Sequence, residues 1–235
     1  ESVLELPDRR EQGSVNRSHV GIIVDGWHDD VLAFLDAVTT HTPYPVIALA
    51  FDDFQYSHDQ IEVFSIKDHT GWAKATIALL KLNPSPIHVV ADISSILDGD
   101  AISPLVDAIG GDVVAAGWKG ANVDTDDSWR TVKDASGEVD VVLSYLFAVD
   151  REAALASPPH AKARFYRNAD LEWSLALREA GGRIVVPAQA LPVHQERHHG
   201  YHDSDPEIRD RESRRTYIRL LERFRGKDHI LAPRS

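Results

Sequence analysis

The stretch His19-Val-Gly-Ile-Ile-Val-Asp-Gly26 decides the fold. It is an almost unbroken apolar run that closes on an acid and a glycine. A run without polar alternates buries both of its faces, as central strands of parallel sheets do. Working outward, the same design returns in Val46-Ile-Ala-Leu-Ala-Phe51 before Asp52-Asp53, in Ile61 to Ile66, in Ile87-His-Val-Val-Ala91 before Asp92, and in Asp112 to Gly117. Segments of helical period lie between these runs. Residues 29–40 carry Val31, Leu32, Leu35 and Val38 on one stripe, and Gly71-Trp72 opens a helix through Leu82 with Ala75, Leu79 and Leu82 at matching spacing. A further helix is expected over 101–109, ended by Gly110-Gly111. Strands alternating with helices predict an α/β domain whose mostly parallel sheet is flanked by helices. Ligands of such sheets bind at the carboxyl ends of the strands. Here three strand ends deliver Asp25, Asp52 and Asp92 to one rim. A single acid there often only caps the next helix; three together point to a ligand site.

The second half is less regular. Residues 118–137 are polar and turn-rich and read as one long functional or mobile loop. Glu138 to Val149 is strand-like, 150–165 connects, and a helix is expected over 169–180 before Gly181-Gly182. Arg183 to Pro187 reads as the last strand, and Pro206 to Arg225 as an amphipathic helix with Tyr217, Leu220, Leu221 and Phe224 as its apolar stripe. The whole reads as a polar arm over 1–18 and one domain over 19–235.

Bulk properties exclude several functions. Lys plus Arg total 25 against 37 for Asp plus Glu, a net charge of −12 that repels nucleic acid. The absence of cysteine removes disulfides, thiolate nucleophiles and cysteine-based zinc sites. No apolar run has the length of a transmembrane span and no signal-peptide pattern opens the chain. The expected setting is cytoplasmic, with peripheral attachment at the inner face of the membrane as one form of it. The chain begins at Glu1 and has no methionine, so a neighbouring domain of a longer protein is an expected partner.

Three segments carry chemistry. In Phe165-Tyr-Arg-Asn-Ala-Asp-Leu-Glu-Trp-Ser-Leu-Ala-Leu-Arg178, Asn168 reads as an N-cap that puts Asp170 in the first helical turn. The helix dipole is expected to lower the pKa of Asp170 and keep it ionised, so that it can take a proton from an attacking hydroxyl. Glu172 lies on another face. In Val193-His-Gln-Glu-Arg-His-His-Gly-Tyr-His202 four histidines crowd together, a pattern that suits metal or pyrophosphate and equally suits a solvated loop. Asp92-Ile93-Ser94 ends a buried strand with one acid, and Asp98 and Asp100 follow in a turn where they can compensate for the missing second acid or simply cap a helix. Trp118 and Tyr145 are candidates to stack on a sugar ring, though aromatics are often core.

With these residues in view, the chain resembles the family 2 glycosyltransferases, which have the Rossmann-related GT-A fold and mostly invert configuration. The resemblance is strongest over Arg167-Asn-Ala-Asp-Leu-Glu-Trp-Ser-Leu-Ala-Leu-Arg178, runs on through Ala180-Gly-Gly-Arg-Ile-Val-Val-Pro187 to Leu191-Pro-Val-His194, and includes Gly71-Trp-Ala-Lys-Ala75. It implies that Asp170 is the base that deprotonates a glycan or other hydroxyl acceptor, for which Trp118 and Tyr145 are the separate stacking candidates named above. It also implies that Asp25, Asp52, Gly71, Lys74 and Asp92 bind a nucleotide-sugar donor, and that Asp92 with His194 and His198 holds a divalent cation, Mg or Mn. The chain departs from the family where Ser94 stands for the second acid of D-x-D. Two other readings stand beside the transferase: a catalytically degenerate GT-A domain serving as a binding or scaffolding module, and a metal-dependent hydrolase built on the histidine cluster.

Overall fold

The computed structural model describes residues 17–234. In chain order the elements are β1 (Ser18–Val24), α1 (His28–His41), β2 (Val46–Ala50), β3 (Ile61–Ser65), α2 (Trp72–Leu82), β4 (Ile87–Ala91), β5 (Ser95–Leu97), α3 (Ser103–Asp107), β6 (Val113–Gly117), β7 (Gly120–Val123), β8 (Val132–Ala135), β9 (Gly137–Glu138), β10 (Val141–Val142), β11 (Leu146–Asp150), α4 (Arg151–Ala156), α5 (Ala169–Glu179), β12 (Arg183–Val186), β13 (Val193–Gln195), α6 (His199–His202) and α7 (Pro206–Phe224). The arm expected over 1–18 lies outside the described residues up to 16, and Ser18 already belongs to β1.

The central sheet has eight strands in the order β3-β2-β1-β4-β11-β6-β12-β9. The first four pair in parallel, as do β6 and β12. β11 enters antiparallel between β4 and β6, and β9 pairs antiparallel at the far edge. The period of two along each strand sorts the core into two layers. Val20, Ile22 and Val24 of β1, Val89 of β4 and Leu146 and Ala148 of β11 pack with Phe34, Leu35 and Val38 of α1. The alternate residues face α2 and α5: Ile47 and Leu49 meet Ala75 and Leu79, while Val90 and Phe147 meet Leu80 and Trp173. Gly21 and His88 lie in this second alternation, under α2, where an added Gly21 Cβ would meet Leu79.

The structure corrects several readings. The stripe of α1 buries Phe34, whereas Leu32 is exposed. The helix expected over 101–109 forms only over Ser103–Asp107, after a short strand, β5, that periodicity missed. Residues 118–137 are not one loop: β7, β8 and β10 make a three-stranded sheet there, because Gly120 to Val123 finds partners on both sides. The connector 150–165 contains α4, capped by Asp150, whose side chain accepts from the Ala153 N–H at 2.8 Å. Asn168 sits at the N-cap position of α5 in the left-handed region, φ 67°, and makes no capping bond with its side chain. That side chain instead donates to the Ser213 carbonyl of α7 at 3.1 Å.

Candidate functional site

A cavity of about 390 Å³ opens at the carboxyl edge of β1 and β4. Asp25 and Asp92, at the ends of those strands, line it together with Gly71, Ser94, Ser144, Tyr166 and His198. Of the three rim acids only these two meet there. Asp52 lines a neighbouring cleft with His28 and Asp30, and its carboxylate is taken by His28 Nε2 at 2.9 Å and by the Phe54 N–H at 3.1 Å. Burial opposes its charge, but these hydrogen bonds and the His28 imidazole hold the Asp52 carboxyl below the usual range. Asp25 lies 3.3 Å from His69 Nδ1, and His69 in turn stacks on Phe51 with centroids 5.0 Å apart.

Asp92 is the most elaborated acid. Its Oδ1 accepts from the Ser94 N–H at 2.9 Å and from the Ser94 hydroxyl, and its Oδ2 lies 3.1 Å from His198 Nε2. Burial would raise its pKa, yet the His198 contact and the two Ser94 bonds outweigh it and hold the carboxyl below its ordinary value. His198 is itself clamped. It stacks on Tyr166 with centroids 4.5 Å apart, meets Tyr145 edge-on at 6.3 Å, and its Nδ1 accepts from the Tyr201 N–H at 3.2 Å. A carboxylate and a hydroxyl from the turn after β4 thus meet an imidazole from the turn before α6 at the cavity mouth, a hard and borderline donor set that suits Mg²⁺ or Mn²⁺. Among the described residues no group of three or more His, Asp or Glu side chains is arranged around a common point.

The other histidines of the cluster have other partners, although His199 also lines the cavity. His194, on β13, is bound by Asp98 at 2.7 Å and Glu196 at 3.2 Å, away from the cavity lining; both carboxylates raise its pKa. His199 binds Asp203 at 2.6 Å. Sequence proximity therefore did not gather all four: His194 lies on β13, away from the cavity lining, while His198 and His199 at the start of α6 line it.

Asp170 sits in the first turn of α5, 8% exposed. Its Oδ2 accepts from the Ser144 N–H at 3.0 Å and the Ser144 hydroxyl at 3.2 Å. Asp170 is not itself among the residues lining the cavity; Ser144 is, and stands between. Burial pushes the Asp170 carboxyl above its ordinary pKa despite these hydrogen bonds, which reverses the lowering expected from the helix dipole. Glu172 is indeed on another face, paired with Arg219 at 2.6 Å.

Gly71 precedes α2 with φ 81°, and a Cβ there would come within 3.0 Å of the Arg164 backbone. That close approach lets Trp72 N–H donate to the Arg164 carbonyl at 2.9 Å, which ties α2 to the 163–164 segment along the cavity rim. Lys74 points outward from α2 and does not line the cavity. Trp118 and Tyr145 meet edge-on with centroids 6.5 Å apart, and Lys119 Nζ lies 4.3 Å above the Trp118 ring and bonds Gln195 at 3.0 Å. Sequence reasoning gave no role to Ser144, Tyr166, Arg164 or His88, although Tyr166 and His88 stand in quoted segments; their neighbours in space single them out.

No protein-family model matches the chain, and no curated protein matches its sequence. Solved structures do. The chain is similar to GalNAc-T7, solved with UDP, GalNAc and Mn²⁺, at TM-score 0.67 and 15% identity over 87% of this chain and 48% of that one. It is similar to the mannosyltransferase PcManGT from Pyrobaculum calidifontis, solved with GDP-Man and Mn²⁺, at TM-score 0.64 and 15% identity over 91% and 68% of the two chains. TarS of S. aureus, residues 1–349, matches at TM-score 0.55 and 10% identity over 87% and 71%. The fold is therefore GT-A, the fold of nucleotide-sugar glycosyltransferases. The chain spans about half the length of the GalNAc-T7 chain, 48%. No helix among the described residues is long and apolar enough to cross a membrane.

Proposed function

We propose that the chain is an inverting glycosyltransferase that moves a sugar from a nucleotide-diphosphate donor to a hydroxyl acceptor, with Asp170 as general base. The observation that carries this reading is one cavity lined by Asp92, Ser94, His198 and Ser144, with Asp170 hydrogen-bonded to Ser144. The ligands in the GalNAc-T7 and PcManGT structures, a nucleotide or nucleotide sugar with Mn²⁺, support it. The motif from Arg167 to Pro187 supports a place in family 2.

In this reading the acceptor oxygen attacks the anomeric carbon from the face opposite the diphosphate. The bond from that carbon to the diphosphate breaks, and its electron pair leaves with the nucleoside diphosphate. One proton is gained by Asp170 through a relay. Because the Ser144 hydroxyl stands between carboxylate and cavity, it takes the acceptor proton as it gives its own to Asp170 Oδ2. The raised pKa of Asp170 makes it a stronger base than a surface aspartate. Asp92, His198 and the Ser94 hydroxyl are the groups that would hold a divalent cation, which when bound supplies positive charge to the leaving diphosphate. Arg164, exposed on the rim, adds a positive charge there. Asp25 and Gly71 are the expected donor-side residues that the cavity retains, and Trp118 with Tyr145 remains the proposed acceptor platform. A neighbouring domain and a cytoplasmic setting belong to this proposal as well.

Calorimetric titration with UDP and with GDP, with and without Mn²⁺, tests it. Metal-linked binding of either supports the transferase. Failure of every nucleoside diphosphate to bind favours a degenerate GT-A module, a reading that the single acid at Asp92, already engaged by Ser94 and His198, would explain.

A further inference from the structure

His88 lies in the middle of β4, wholly buried, on the face that packs under α2. Its tautomer follows from its neighbours. Asn83 Oδ1 accepts from the Ser85 N–H at 2.7 Å, so the Asn83 amide is oriented with its nitrogen toward the Ile87 carbonyl, 2.9 Å away, and toward His88 Nδ1, 3.2 Å away. An amide nitrogen only donates, so Nδ1 is the bare acceptor and the proton sits on Nε2. That Nε2 has no hydrogen-bond partner. It lies over Gly21, where a Cβ would come within 2.7 Å of it, so the glycine makes the room the ring occupies. Buried donors are rarely left unpaired, since each costs about 1–3 kcal/mol.

His88 is one of the residues that line the cavity described above. Gly21, Thr76, Leu79, His88 and Val90 line its inner part, and Asp92 lines its mouth. Along β4 residues 92 and 88 stand about 13 Å apart, at roughly 3.3 Å per residue. The walls of the inner part are apolar apart from the imidazole N–H and the Thr76 oxygen, whose own proton goes to the Trp72 carbonyl at 2.9 Å and leaves its lone pairs free to accept. A planar heterocycle with an acceptor next to a donor fits such a slot. The diphosphate end of the same molecule would then emerge beside Asp92 and His198. We propose that the recess between α2 and strands β1 and β4 receives the nucleobase of the donor, with the His88 Nε2–H donating to a carbonyl oxygen or ring nitrogen of the base. This rests on the nucleotide-sugar reading above and extends it to a base-recognition residue in mid-strand. Burial, with the charges of His19 and Arg151, pushes the His88 pKa down to about 3, so the group stays a neutral donor throughout the working range of pH.

The test is histidine side-chain NMR of the full chain titrated with UDP, GDP, ADP, CDP, dTDP and, separately, inorganic pyrophosphate, with affinities measured in parallel on His88→Leu. The nucleoside diphosphate that binds should move the Nε2 and Hε2 resonances of His88, and pyrophosphate should not. His88→Leu should weaken that nucleotide by roughly tenfold or more and leave pyrophosphate affinity in place. If the leucine variant misfolds, the wild-type resonances decide alone. Saturation with a tightly bound nucleotide that leaves His88 unmoved, or undiminished binding by a folded His88→Leu, overturns the assignment and leaves the recess to water. If no nucleotide binds the wild-type chain, the transferase reading fails and this one with it, a result distinct from binding with a silent His88.

Discussion

Asp170 is pulled in two directions. The first turn of α5 and the two Ser144 donors favour its charge, and burial disfavours it; burial wins, and its pKa lies above the ordinary value. A carboxyl whose folded pKa is raised stabilises the protein below its unfolded pKa and gives that stability up as pH rises through the folded one. Asp170→Asn should therefore be as stable as the wild type or more so at neutral pH, with the gain shrinking as pH falls toward 3.8, which denaturation in urea across pH will read. The same variant should abolish transfer while donor affinity persists. Ser144→Ala should lower kcat by roughly a hundredfold with KM for the donor unchanged; full turnover in it removes the hydroxyl from the proton path. Asp92 obeys the opposite sign, its pKa held down by His198 and Ser94 against burial. Asp92→Ala should weaken binding of the nucleoside diphosphate by roughly ten- to a hundredfold in the presence of Mn²⁺, as calorimetry will show.

At the scale of elements, α2 is positioned by the residue that precedes it. Gly71 supplies a left-handed φ of 81° and the bare α-carbon against which the Arg164 backbone packs. Gly71→Ala meets both obstacles and should cost about 1–2 kcal/mol, measured by chemical denaturation, while loosening the 163–164 segment from the cavity rim. The glycine itself was legible in the sequence as a helix start. Its partner was not, because Arg164 lies 93 residues further on and no local pattern links the two. The histidine cluster shows the converse: four histidines adjacent in sequence were divided by the turn between β13 and α6, so His198 reached Asp92 while His194 was captured by Asp98.

Across the whole molecule, α7 closes the structure by returning to α5. Glu172, 1% exposed, is neutralised by the fork of Arg219, a contact 47 residues apart in the chain. Removing the cation alone leaves a buried charge without a partner. Arg219→Ala should lose about 3 kcal/mol in equilibrium unfolding, whereas the double replacement Glu172→Met, Arg219→Met should recover most of it. Comparable losses in the two would mean that the arginine contributes packing rather than charge.

The apolar runs at His19–Val24, Val46–Phe51 and Ile87–Ala91 were sufficient to specify a mostly parallel α/β sheet, since a strand without polar alternates has no stable place except between two layers. The first turn of α5 and the single acid at Asp92 were equally plain. What only the tertiary structure decided is which groups meet and in what medium. It seated His198 on Asp92, sent Asp52 and His194 to other partners, set Ser144 before Asp170, and raised a pKa that the local helix alone would have lowered. Burial is a property of everything that packs around a residue, and no window of sequence contains it.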